Sequence, residues 1–227
     1  MNPLQSLVAS RIFQTRMAGL ADYAKTLERL LTSETASIYA REALFVIAQR
    51  ARGDEHIDEE PSDELQGLRD DFPSILRGSL FLYVVSCFEN QSRVVINAKL
   101  ISAPLGKCDS LKTIAAALAD HLPGTIDSAT TKRLHEYKYL RDACAHTGGG
   151  ITSVLYDLHK VSRAAQSLPG VVFRPHAENT AETRAAFTRT QMSVGTAEFT
   201  NMFIPAAIAF FSDTFAKITT ARPPSVK

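Results

Sequence analysis

Tryptophan is absent from the 227 residues, and cysteine occurs only three times. Cys87, Cys108 and Cys144 are odd in number, widely spaced, and fall in expected helical or helix-flanking positions. They provide no disulfide framework and read as buried thiols in a reducing compartment, so a cytoplasmic location is expected. Long apolar runs are also lacking. The longest, Met202 to Phe211, contains Pro205 and falls far short of the ~20 residues of a membrane-spanning helix, so no membrane partner is expected. There is no G-x-x-x-x-G-K phosphate loop, no G-x-G-x-x-G, no C-x-x-C and no internal repeat. No set of His, Cys or Asp residues has ligand spacing, Asp157-x-His159 alone being too little for zinc, and neither metal nor cofactor is expected. The N-terminus has Arg11 and Arg16 and no acid before Asp22, a composition slightly like a transit peptide. The helical spacing of Leu4, Leu7, Val8, Ile12, Met17 and Leu20 favours a helix of the folded domain instead.

Net charge of one sign is almost missing: 25 Lys and Arg stand against 24 Asp and Glu, a formal +1. That near-zero sum would exclude an electrostatically driven nucleic-acid binder if the charges were evenly mixed, and they are not. The segment from Asp54 to Asp71 holds nine acids and one base, Arg69, leaving 24 basic and 15 acidic residues in the rest, an excess of +9. Neutrality is thus the sum of an acidic segment and a moderately basic body.

The pattern along the chain is mainly α-helical. Residues 4–31 keep one apolar face, and Thr32 or Ser33 is placed to cap a second helix ending near Arg52 and Gly53, which gives an N-terminal helical pair over residues 1–53. An acidic linker over 54–72 follows, with room for one short helical turn. Ser74 is placed to cap a long helix to about Leu100. Its middle, Leu80 to Val85, is apolar all round; a strand competes there, but length and period favour helix. Such a helix needs cover on every side, from its own bundle or another subunit. Asp109 and Ser110 open a short helix to about His121, and Asp127 and Ser128 open another that stops at Gly148-Gly149-Gly150. A further helix is expected over Val154 to Ala165. Val171 to Phe173 and Gln191 to Phe199 read as a small β-hairpin within an insertion, 166–199, of a helical domain spanning 73–220. Its last helix, Thr200 to Ile218, tolerates Pro205 only in the first turn. Residues 221–227 read as a disordered tail.

One segment concentrates chemistry, Leu134 to Gly148. At about 100° per residue, Leu134, Tyr137, Leu140 and Cys144 share an apolar face, and Arg141 falls within it. A guanidinium there requires a carboxylate, a phosphate or water. A structural ion pair, to Glu89 of the long helix, is one solution. The opposite stripe holds His135, Tyr139, Asp142 and His146. If the helix persists, Asp142 can hydrogen-bond His146 one turn on and, with the helix C-terminus, raise its pKa into the range of a general acid or base. An exposed histidine near a helix end is the plainer alternative. Lys138 lies with Lys132, Arg133 and Arg141 in a basic cluster that suits phosphates or is a solvated charged face. Cys144 and His146 do not suit a nucleophile pair, because two residues on a helix differ by about 200°. No aromatic-rich platform for stacking bases is evident.

Arg141-Asp142-Ala143-Cys144-Ala145-His146 resembles the R-x(4-6)-H signature of the HEPN superfamily, and the upstream helix bearing Glu89 resembles that family's long first core helix. The resemblance implies a helical bundle that forms a homodimer with the Arg and His of both subunits around one cleft, and RNA as substrate. Many such proteins are metal-independent endoribonucleases of toxin-antitoxin or antiviral systems, so a cognate antitoxin protein is an implied partner. Carried onto this chain, His146 takes part in proton transfer, Arg141 stabilises phosphoryl charge, Asp142 orients His146 or the substrate, Lys138 assists binding, and Glu89 supports Arg141 from behind. The branch with H-x-Y, whose tyrosine accepts a nucleotidyl group, is not matched, since Thr147 and Gly148 follow His146. Tyr137 and Tyr139 read as packing residues. Positions 141 and 146 on a regular helix are about 140° apart. Convergence therefore requires a loosened helix end, a long arginine reach, or pairing across a dimer. A non-catalytic helical module binding a nucleotide, RNA or protein is the rival reading.

Overall fold

A computed structural model of the chain describes residues 3–52, 62–100, 110–147, 150–152, 158–175 and 193–221. The architecture is a mainly α-helical bundle with one small antiparallel sheet. Helix α1 spans Pro3–Arg52, where sequence reasoning expects two helices. Thr32 and Ser33 do not start a new helix. The Thr32 hydroxyl donates to the Glu28 carbonyl, 2.8 Å away, a bond that a mid-helix threonine makes to its own helix. The core stripe of Ala9, Phe13, Met17, Ala24, Leu31 and Ile38 passes through this point in steps of four and seven, so one straight helix keeps it facing inward.

Part of the expected acidic linker is also helical. Ser62 accepts the Leu65 N–H at 3.2 Å and opens α2 (Asp63–Gln66), and Leu65 is buried. A π-helical turn, Gly67–Asp71, then runs into α3 (Phe72–Lys99) without a break. Pro73 cannot donate the helical bond four residues back, and the wider turn precedes it. Ser74 is therefore not a cap; its hydroxyl accepts the Phe199 N–H at 3.2 Å and ties α3 to the sheet. Gly53 to Pro61, most of the acidic run, lies outside the described residues.

The remaining helices among the described residues are α4 (Leu111–His121), α5 (Ser128–Thr147), α6 (Leu158–Ser167) and α7 (Phe203–Thr220). Two expected caps form: Ser110 accepts the Thr113 N–H, and Asp127 accepts the Thr130 N–H at 2.7 Å. That bond is the main cause holding the Asp127 carboxyl below its ordinary range. Asp109, Gly148, Gly149, Asp157, the side chain of His159 and residues 222–227 lie outside the described residues, as does Cys108. Pro205 falls in the first turn of α7.

Among the described residues the sheet has three strands, not two. Strands β1 (Gly150–Thr152) and β2 (Val171–Pro175) both pair antiparallel with the central β3 (Ser193–Phe199). Val171 lies opposite Phe199 and Phe173 opposite Ala197, while Gly150 lies opposite Thr196. Three residues are too few to show an alternating pattern, which is why β1 escapes sequence reasoning.

Helix α3 is the hub. Phe81, Val84, Val85, Phe88, Val95 and Ile96 are fully buried, and α1, α4, α5, α7 and β3 all pack on it. Its all-round apolar middle is thus covered almost entirely within the chain, Tyr83 being half exposed. Aromatic rings link the layers: Phe13 of α1 stacks on Phe215 of α7 at 4.1 Å, Phe88 meets Phe211 at 4.8 Å, and Tyr137 of α5 meets Phe211 at 5.0 Å. Lys99, nearly buried at the end of α3, donates to the carbonyls of Thr219 and Ala221 and so satisfies the C-terminal end of α7. Its burial lowers its pKa.

Candidate functional site

The site is built where α5 crosses α3. Leu134, Tyr137, Leu140 and Cys144 are buried and seat α5 on the core, which leaves Arg141 at the edge of that face. Its guanidinium donates to Glu89 of α3 at 3.1 Å and lies 3.3 Å from the Asp142 carboxylate. The other Asp142 oxygen accepts from Lys138 at 2.5 Å, one turn earlier. Lys138 in turn stands 5.5 Å from the Tyr139 ring centre. Four of the five residues singled out from the sequence, Lys138, Glu89, Arg141 and Asp142, therefore form one charged network. Each is only 15–23% exposed, so the network is neither bulk-solvated nor sealed.

Glu89 feels opposing influences. Burial is the largest and raises its carboxyl pKa; the Arg141 charge and the N–H of Leu111 lower it, and Asp142 raises it slightly. The net direction is upward. Leu111 is the first residue of α4, so the Ser110 cap that starts this helix also delivers a backbone donor to Glu89. That donor is absent from the sequence reading; the Asp109-Ser110 cap signal marks the helix start, but not that it abuts Glu89.

His146 stands in the last turn of α5, and its side chain lies outside the described residues. The helix continues to Thr147, so positions 141 and 146 are separated by about 140° of regular helical rotation. A loosened backbone before Gly148 is thereby removed from the three routes to convergence. The stripe His135, Tyr139, Asp142, His146 is not an open face throughout: Tyr139 packs against the buried cluster of Ala143 of its own helix and Val161 of α6, which Phe173 of β2 also packs against.

The basic cluster divides in two. Lys132 and Arg133 turn to Glu136, at 3.9 and 3.4 Å, and Arg133 also donates to the Ser167 carbonyl at the end of α6, 2.7 Å away. Only Lys138 and Arg141 remain together. Cys144 is buried, which pushes its thiol up to about 12 and removes it as a nucleophile at neutral pH. Tyr137 is likewise pushed up to about 12 by burial, as fits a packing residue. Among the described residues no helix is long and apolar enough to cross a membrane.

Comparison with family models, with curated proteins and with solved structures finds no match to the chain.

Proposed function

We propose that this chain is a metal-independent endoribonuclease acting through a composite Arg141 and His146 site at a homodimer interface, in a toxin-antitoxin or antiviral setting. The reading rests on one observation: Arg141 sits in a partly exposed charged network with Lys138, Asp142 and Glu89, on the helical turn that leads to His146. A guanidinium already oriented by two carboxylates is suited to exchange one of them for a phosphodiester oxygen, with Lys138 as a second cation. In the proposed reaction the 2′-oxygen attacks the adjacent phosphorus while the bond to the 5′-oxygen breaks. His146 takes part in moving the proton from the first oxygen to the second. The products are a cyclic 2′,3′-phosphate and a 5′-hydroxyl.

A second reading is favoured by the same pairing: Arg141 already has Glu89 and Asp142, so its role is equally that of an internal strut in a non-catalytic module that binds a nucleotide, RNA or protein. The two are separated by incubating the purified protein with RNA in excess EDTA beside His146→Ala and Arg141→Lys. Cleavage that leaves cyclic phosphate ends and is lost in both variants supports the enzyme. Absence of cleavage, or its survival in both folded variants, supports the module.

A further inference from the structure

The outward face of α1 is laid out in a way that does not concern the α3–α5 site. Leu4 and Leu7 near its start are 64% and 68% exposed, and Leu44 and Ile47 near its end are 67% and 63% exposed. At about 100° per residue these four lie roughly opposite the stripe of Ala9, Phe13, Met17, Ala24, Leu31 and Ile38 that enters the core. Large aliphatic side chains at both ends of one exposed helical face lose favourable burial unless something covers them.

The spacing identifies the cover. When two identical helices lie antiparallel about a two-fold axis near positions 25 and 26, position i of one stands level with position 51 minus i of the other. Leu4 then stands opposite Ile47 of the second copy, while Leu7 and Leu44 stand level on the two flanks of the seam, each relation occurring twice. The same register sets Asp22 level with Arg29, both exposed and both close to the line through the apolar residues. Between these points Thr15 faces Ala36 and Ala18 faces Ser33, all exposed and small enough for the helix axes to approach to about 8–10 Å. Lys25 shares the helical angle of Leu7, and Arg11, exposed on the seam line level with Ala40, has no acid opposite it, so both long side chains must turn outward to water in the pair. Apolar ends, small residues inside them and complementary charges about the centre are thus related by a single two-fold operation, which fits a second copy of this chain rather than an unrelated protein.

We propose that α1 is a self-association helix, pairing antiparallel with α1 of a second copy in the register that sets Leu4 against Ile47 and Asp22 against Arg29. From position 4 to 47 the helix runs about 65 Å. The face presents on the order of 20 positions a side, at the small end of what a stable interface uses. This pairing is separate from a dimer through the Arg141 surface, because no described side chain of the charged network belongs to α1.

Sedimentation velocity of the full chain over a wide concentration range tests the register, with circular dichroism as the check on folding. Leu7→Glu, Asp22→Arg and Arg29→Asp are each expected to weaken self-association at least about tenfold, because each lies in the seam or on its flank and is exposed in the monomer. The swap Asp22→Arg with Arg29→Asp in one chain restores association to within about threefold of the starting protein, since the charges again face their opposites. A starting protein that stays monomeric overturns the proposal. So does association unmoved by Leu7→Glu, which would place the interface elsewhere, including at the Arg141 surface. A double variant as weak as the single ones overturns the register.

Discussion

Arg141 of α5 and Glu89 of α3 are 52 positions apart in the chain and 3.1 Å apart in the fold, and their pair joins the segment before His146 to the central helix of the bundle. Removing one partner leaves the other partly buried and without its main countercharge. Arg141→Ala is expected to cost about 2 kcal/mol, below the 3–5 of a sealed pair because both side chains retain some water contact. Glu89→Gln costs less, since burial already disfavours the carboxylate. Urea unfolding of the two variants measures the order, and a greater loss for Glu89→Gln would contradict it.

The pH dependence follows from the same carboxyl. Its folded-state pKa is raised above the ordinary 4.5, chiefly by burial, so the fold favours its protonated form. Its contribution to stability is full below 4.5 and is lost as pH rises through the folded-state value. Relative to Glu89→Gln, the starting protein is therefore expected to lose melting temperature as pH rises from about 4 toward about 7. A difference that instead grows in favour of the starting protein over that range would show that Arg141 outweighs burial.

Arg77 binds both oxygens of Glu28 at 2.6 Å and also donates to the Phe199 carbonyl at 2.7 Å, which locks α1, α3 and β3 together. Its side chain is 14% exposed. Arg77→Ala is expected to destabilise by about 2–3 kcal/mol, and Arg77→Lys to recover only part, because a single ammonium cannot reproduce the fork. Equal stability of the lysine and arginine forms in denaturant titration would reject the forked geometry.

Two glycines separate backbone strain from crowding. Gly124 and Gly170 have φ of +80° and +76°. A Cβ at Gly124 meets nothing within 4 Å, whereas at Gly170 it falls 2.5 Å from the Phe203 nitrogen. Gly124→Ala is expected to cost about 1 kcal/mol for the left-handed backbone alone. Gly170→Ala costs clearly more, with the turn before β2 and the start of α7 forced apart. Thermal unfolding of both, where each kcal/mol moves the midpoint by about 2–4 °C, reads the difference.

Ser33→Ala tests the continuity of α1 by its sign. Within one unbroken helix, alanine at this exposed position stabilises by up to about 0.5 kcal/mol. At a helix start it would cost about 1 kcal/mol through the lost cap. Chemical denaturation distinguishes the two.

Much of the secondary structure was legible because its causes are local. Ser110 and Asp127 cap the helices that their side chains suggested, and Pro205 falls in the one turn where a missing N–H is harmless. The Arg141 and Glu89 pair was also legible, because an arginine on an apolar helix face needs a carboxylate and Glu89 stands in the largely apolar long helix. The break expected at Thr32-Ser33 failed because cap preference is a weak local signal. Leu31 and Ile38 on one core-facing line outweigh it. Lys132 and Arg133 looked like neighbours of Arg141 by sequence. They were drawn away by Glu136 and by the end of α6, neither of which follows from the α5 spacing of cations alone.

By itself the sequence determined a mainly helical chain, most helix ends, two of the three described strands and the residues of the charged network, since periodicity, capping and the cost of a misplaced charge act over a few residues. Only the tertiary structure decided that α1 is a single rod, that Gly150–Thr152 joins the sheet, that Leu111 supports Glu89 and that Arg77 clasps Glu28. Those outcomes depend on which faces meet across dozens of residues, where packing and the pairing of buried polar groups select among locally equivalent alternatives.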